Sequence, residues 1–231
     1  MVEIASDVET IVWDLDGTLL DSFGIYVGCV NEVLRGLGRP EIPEQVFRSN
    51  HHGLIDDSIV AVLREAGQET TEAELTAIIR GFYALDNDYI KNVDDHLFED
   101  AVGLAERAHE VGKRQIVVTN RPHGVDRGNG SPRNLIANSR LHDVIGTILC
   151  GDDCEVRKPH RAFLEAHFGT DLANLGKIAV IGDQFVDAEF ANNIGGSAIL
   201  VARAGEIAHL DRLEDWESYA QIVTSLHDVR V

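Results

Sequence analysis

Cysteine is scarce in this chain. Cys29, Cys150 and Cys154 are its only three, odd in number and without a CxxC pair, so neither a disulfide framework nor a zinc knuckle is built from them. A reducing compartment is the expectation. Basic residues are also short, 20 Lys and Arg against 39 Asp and Glu for a net charge of −19, a field that repels nucleic-acid phosphates and anionic membrane surfaces. Neither nucleic acid nor membrane is expected as a partner. A small anionic substrate stays open, because a bound metal and a few local cations invert the potential inside one cleft. No stretch approaches the ~18 apolar residues of a membrane span, and Glu3, Asp7 and Glu9 stand where a secretory signal would be basic. The reading is a cytoplasmic protein. With only five Pro beside 21 Gly, and 44% hydrophobic residues over 231 positions, collagen and wholesale disorder are excluded. The length allows one domain with an insertion, or two small ones.

Five short apolar runs rich in Ile and Val are present: Thr10 to Trp13, Gln115 to Thr119, Thr147 to Cys150, Lys177 to Ile181 and Ser197 to Val201. Runs without polar alternation, separated by helix-like segments, predict parallel strands buried on both faces, hence an α/β fold. The interval between the first two runs is far longer than an ordinary crossover. Apolar residues recur there at helical spacing over Phe23 to Leu37, Asp56 to Ala66 and Glu72 to Lys91, as with Ile55, Ile59, Val62 and Leu63. An inserted helical domain is therefore expected over 20–96, with the core in 1–19 and 97–231 and a core helix over Glu99 to Glu110. Arg121 to Ser131 reads as an irregular surface loop, ended by Ser131 as N-cap and Pro132 as first helical residue. From Leu210 on, Trp216, Tyr219, Ile222, Val223 and Leu226 predict a terminal helix.

The first run leads into Asp14, Leu15, Asp16, Gly17, Thr18 and Leu19. Alone, this is also the composition of a solvated turn; an EF-hand loop fits worse, since it needs its glycine at the sixth position. The second run ends in Thr119 and Asn120, the fourth in Gly182, Asp183 and Asp187, and Arg157, Lys158 and Pro159 lie between. A helix cap is the plain reading of Thr119 or Asp183, and a solvated side chain that of Lys158. Placement favours more: Asp14, Thr119 and Asp183 all fall at the carboxyl ends of strands, where open parallel sheets bind ligands.

With DLDGTL, VVTN, RKP and GDQFVD in this order, the chain resembles the haloacid dehalogenase superfamily, and within it most the phosphoglycolate phosphatase branch. The resemblance implies a Rossmann-like core, a five-stranded parallel sheet of order 5-4-1-2-3, with an α-helical cap inserted between the first two motifs. It implies Mg²⁺, held by the side chains of Asp14 and Asp183, the backbone carbonyl of Asp16, and Asp187 directly or through water. Carboxylates gathered at one rim repel by about 4 kcal/mol per close pair at an effective dielectric near 20, and hard oxygen donors suit Mg²⁺ rather than zinc. The family's mechanism makes Asp14 the nucleophile that forms an aspartyl phosphate and Asp16 the acid and base. Lys158, Thr119 and the backbone N–H groups of Asn120 and Gly17 would hold the phosphoryl group.

Dehalogenases lack the second carboxylate of DLDGTL, so Asp16 points to oxygen-linked phosphate. The expected function is a phosphatase of a small phosphorylated metabolite, with 2-phosphoglycolate the leading candidate. A sugar-phosphate phosphomutase and a catalytically silent binding module are the alternatives. Substrate choice is assigned to a cap loop over Arg48 to Gly53, with His51, His52 and Gly53 as its candidates; such a histidine pair is more often a surface feature, and adjacent histidines cannot easily share one metal. Two departures stand out. Phe98, Glu99, Asp100 and Ala101 replace the Pro and Gly that the branch leads one to expect after the cap. The loop carrying Arg121, His123 and Arg127 is long and Gly-rich, and is read as surface rather than substrate contact.

Overall fold

The structure is a computed structural model that describes residues 1–50, 55–124, 130–203 and 220–231. It divides into two compact units, one built from Met1–Asp21, Val93–Asp126 and Ser131–Val231, the other chiefly from Ser22–Asn92.

In the larger unit, β1 (Val2–Glu3) pairs at the periphery with a strand from the far end of the chain, and β2 (Val8–Trp13) is buried at five of its six positions. The smaller unit contains α1 (Ser22–Gly36), α2 (Glu44–Asn50), α3 (Ile55–Glu65) and α4 (Glu72–Tyr89). The larger unit then resumes with α5 (Glu99–Glu110), β3 (Arg114–Val118), α6 (Pro132–Ala137), β4 (Thr147–Leu149) and α7 (Ala162–Phe168). It ends with β5 (Lys177–Gly182), α8 (Phe185–Ile194), β6 (Ser197–Val201), β7 (Ala220–Val223) and β8 (Val229–Arg230), the last being the partner of β1.

The main sheet has order β4-β3-β2-β5-β6-β7, and every pairing in it is parallel. Alternate residues of each strand face opposite layers. Val12, Ile116, Val118, Val180 and Leu200 pack with Phe163 and Leu164 of α7 and Phe190 and Ala191 of α8. On the other face the Trp13 indole N–H donates to Gln115 Oε1 at 2.9 Å, and Gln115 Nε2 donates to the Ala105 carbonyl of α5 at 2.8 Å. One buried amide thus satisfies a buried indole and ties α5 to the sheet.

The sheet has six strands where five are expected. Ala220–Val223, assigned from its spacing to a terminal helix, forms β7, with Ala198 opposite Ala220 and Leu200 opposite Ile222. A four-residue segment carries too little periodicity to separate strand from helix, and the open edge of β6 decides. Trp216 and Tyr219, placed in that helix, lie outside the described residues.

In the smaller unit, Tyr26 meets Phe47 and Phe82 edge-on, with centroids 5.1 and 5.9 Å away. Ile59, Val62 and Leu63 of α3 are buried, as their spacing predicts. Arg48, Ser49 and Asn50, expected in a loop, belong to α2. There Arg48 pairs with Glu44 one turn back at 2.6 Å and lies over the Phe23 ring, while the Ser49 and Asn50 side chains bond back to the carbonyls of Gln45 and Val46. No helix among the described residues is long and apolar enough to cross a membrane.

Candidate active site

Three strand ends build the site. The Asp14 N–H extends the ladder one residue past β2 by donating to the Ile181 carbonyl at 2.8 Å, so the carboxyl side chain starts from rigid sheet. The chain then turns sharply at Gly17, whose φ is +81°. A Cβ here would stand 2.7 Å from Asp183 Cγ, so glycine is required both by the backbone and by the neighbouring carboxylate. Thr18 Oγ1 donates to Asp183 Oδ1 at 3.2 Å. At the end of β3, Thr119 is buried and its N–H donates to the Leu149 carbonyl of β4. The Asn120 side chain clasps Lys158, its Oδ1 accepting from Lys158 N at 2.9 Å and its Nδ2 donating to Lys158 O at 3.2 Å.

Lys158 is 6% exposed and carries the only ammonium that the described residues place against Asp14 and Asp187. Its Nζ lies 2.5 Å from Asp14 Oδ1 and 2.7 Å from Asp187 Oδ1. Asp187, in the first turn of α8, also accepts from the Gln184 N–H at 3.2 Å. Asp14, Asp183 and Asp187 each offer an oxygen, and these atoms lie within 4.8 Å of one another. Burial pushes the Asp14 carboxyl up to about 7; Lys158 opposes the rise, and the Asp187 and Asp16 carboxylates add to it. Burial also works against the Lys158 charge, but Asp14 and Asp187 outweigh it and hold the ammonium above the ordinary lysine range. One monovalent cation among several carboxylates leaves the site short of positive charge. An all-oxygen donor set in that state fits a hard divalent cation.

The structure thus gathers Asp14, Thr119, Asn120, Lys158, Asp183 and Asp187 around one strand edge. Two candidates behave differently. The Gly17 N–H donates to the Leu20 carbonyl at 2.8 Å, so its single hydrogen closes the turn and is not presented to a phosphoryl oxygen. The Asp16 carboxylate is held by Arg121, with Nε donating to Oδ2 at 3.1 Å and Nη2 at 2.8 Å from Oδ1. Arg121 is therefore part of the site and not of a surface loop. His51, His52 and Gly53 lie outside the described residues, as does Arg127. The His123 backbone N–H donates to Asp152 Oδ1 at 2.5 Å.

Sequence reasoning missed a support beneath the DLDGTL turn. Arg203, two residues beyond β6, donates to the Gly17 and Thr18 carbonyls at 3.3 and 3.1 Å and pairs with Asp100 at 3.0 Å. Its guanidinium lies over the Phe98 ring, 3.5 Å from the centroid. Asp100 also accepts from Ser225 Oγ and the Leu226 N–H, both at 2.8 Å. The segment that departs from the expected Pro and Gly therefore supplies the partners of Arg203. No local pattern announces this, because Arg203 and Asp100 are 103 positions apart.

The family model described as haloacid dehalogenase-like hydrolase matches residues 11–201. Among curated proteins, the chain is 25% identical over 196 residues to a phosphoglycolate phosphatase of Aliivibrio fischeri, covering 82% of each. It is 25% identical over 218 residues to an N-acetylmuramic acid 6-phosphate phosphatase of Pseudomonas putida, covering 90% of this chain and 89% of that one. The crystal structure of a predicted phosphoglycolate phosphatase from Haemophilus somnus superposes with a TM-score of 0.70 at 20% identity over 96% of both chains.

Proposed function

Because this chain belongs to the haloacid dehalogenase-like hydrolases, we propose that it is a Mg²⁺-dependent phosphatase that hydrolyses a small phosphate monoester through an aspartyl phosphate on Asp14. The observation that carries this reading is the meeting of Asp14, Asp183 and Asp187 oxygens within 4.8 Å of one another, with the Lys158 ammonium on Asp14 and Asp187. The names of its relatives support 2-phosphoglycolate as the leading substrate.

Asp14, Asp183 and Asp187 would hold the Mg²⁺ by carboxylate oxygens, with the Asp16 carbonyl beside them; when bound, the ion supplies charge against the phosphoryl oxygens. Lys158 adds its own charge, with the Thr119 hydroxyl and the Asn120 N–H as further donors to the phosphoryl group. An Asp14 oxygen attacks phosphorus while the ester oxygen departs as alcohol, taking a proton from Asp16. Asp16 then takes a proton from water, whose oxygen attacks the aspartyl phosphate. Inorganic phosphate leaves and the Asp14 carboxylate is regenerated. Splitting one displacement into two easier ones is the use of the covalent step.

The test is hydrolysis of para-nitrophenyl phosphate and 2-phosphoglycolate with and without Mg²⁺, by the parent and by Asp14→Asn. Parent turnover is expected to need the ion, and the variant to lose at least about 10³-fold while still melting in one cooperative transition. Ordinary turnover by Asp14→Asn excludes it as nucleophile. Isomerised sugar phosphate without phosphate release assigns the chain to mutase chemistry.

A further inference from the structure

The Arg121 guanidinium meets both oxygens of one carboxylate, that of Asp16: Nε donates to Oδ2 at 3.1 Å and Nη2 lies in ion-pair contact 2.8 Å from Oδ1. Its main chain is fastened on both sides: the N–H donates to Thr119 Oγ1 at 3.0 Å and the carbonyl accepts from the Gly151 N–H at 2.9 Å. Gly151 is needed for that approach, since a Cβ there would stand 2.8 Å from the Asn120 carbonyl carbon. Two residues after Thr119 on a fastened backbone, with a side chain 14% exposed, Arg121 is built into the site.

Resting on the phosphatase reading above, we propose that Arg121 determines leaving-group specificity by binding a carboxylate carried on the carbon next to the ester oxygen. Asp16 has to reach the departing oxygen to protonate it, so that oxygen comes within hydrogen-bond distance of the Asp16 carboxylate. The guanidinium already touches that same carboxylate at 2.8 Å and is therefore beside whatever the departing group carries. Lys158 is engaged with Asp14 and Asp187. A planar guanidinium matches a planar carboxylate through two parallel hydrogen bonds, and its contact with both Asp16 oxygens, one by a hydrogen bond and one as an ion pair, shows that a carboxylate fits against it. A substrate carboxylate takes over the guanidinium and leaves Asp16 turned to the ester oxygen; a neutral alcohol offers nothing to exchange. In a chain of net charge −19, attraction of a second anionic group needs such a local cation.

The measurement is kcat and KM, with Mg²⁺, for 2-phosphoglycolate and for ethyl phosphate, which differ by the carboxylate, in the parent, Arg121→Gln and Arg121→Lys. The parent is expected to prefer 2-phosphoglycolate. Arg121→Gln is expected to lower kcat/KM on both substrates, and on 2-phosphoglycolate by about 10- to 100-fold more, mostly through KM. Arg121→Lys keeps the charge without the fork and recovers part of the preference; it also carries the comparison if the Gln variant melts early. Equal losses on the two substrates in either variant, or a parent that hydrolyses both without preference, overturn the inference and leave the phosphatase intact. A parent that hydrolyses neither of them, nor para-nitrophenyl phosphate, overturns the phosphatase reading itself.

Discussion

On the proposed mechanism Asp14 is asked for two incompatible things: burial, which disfavours its charge, and ionisation, which a nucleophile needs. Without a divalent ion the conflict is visible in its carboxyl, raised to about 7 chiefly by burial. A carboxyl raised in the folded state binds more protons there than in the unfolded chain between about pH 4 and 7, so stability from this group falls as pH rises through that window. A divalent cation removes the conflict by stabilising the charged form. The gain in melting temperature on adding Mg²⁺ is therefore expected to be larger at pH 8 than at pH 5.5, and to shrink at both in Asp14→Asn. Calorimetry or thermal fluorescence checks it, and a gain independent of pH would remove Asp14 from the cation site. Lys158 cannot do the ion's work alone, because one ammonium faces Asp14 and Asp187 at once.

Among the elements, α5 is the most consequential beyond the motif loops. Its first turn carries Asp100, which is 6% exposed and joins Arg203, Ser225 and Leu226, tying the helix to both the DLDGTL turn and the end of the chain. Burial alone would raise the Asp100 carboxyl, but hydrogen bonds from Arg203, the Leu226 N–H and Ser225 outweigh it and hold the group below the ordinary carboxylate value. A depressed carboxylate contributes stability above the unfolded value near 3.9 and loses it as pH falls through the folded one. Asp100→Ala is expected to cost about 2–4 kcal/mol at pH 7, since it leaves Arg203 partly buried without its carboxylate. Denaturant melts across pH 3 to 7 should show the deficit narrowing at the acid end. A constant deficit would assign the loss to packing instead. Sequence patterns reach this scale unevenly: α5 is legible from its apolar spacing, whereas Phe98 and Asp100 look like a departure until Arg203 is seen between them.

Across the whole molecule, 39 acidic against 20 basic side chains set up a long-range repulsion that individual surface ion pairs, worth little each, do not cancel. Raising KCl from about 0.05 to 0.5 M shortens the screening length from roughly 14 to 4 Å, and the melting temperature without divalent ions is expected to rise by a few degrees. A fall would show that local ion pairs outweigh the collective charge. The sequence by itself determined the parallel α/β core and the residues at its carboxyl rim, because buried strands write themselves as unbroken apolar runs and the motif residues adjoin them directly. Only the tertiary structure decided that Ala220–Val223 completes the sheet, that the Gly17 N–H closes its own turn, and that Arg121 and Arg203 hold the Asp16 side chain and the Gly17 and Thr18 carbonyls of the DLDGTL turn. The arginine contacts depend on a partner's position in space: Arg121 meets Asp16 across 105 positions of chain and Arg203 meets Asp100 across 103, separations over which no spacing rule operates.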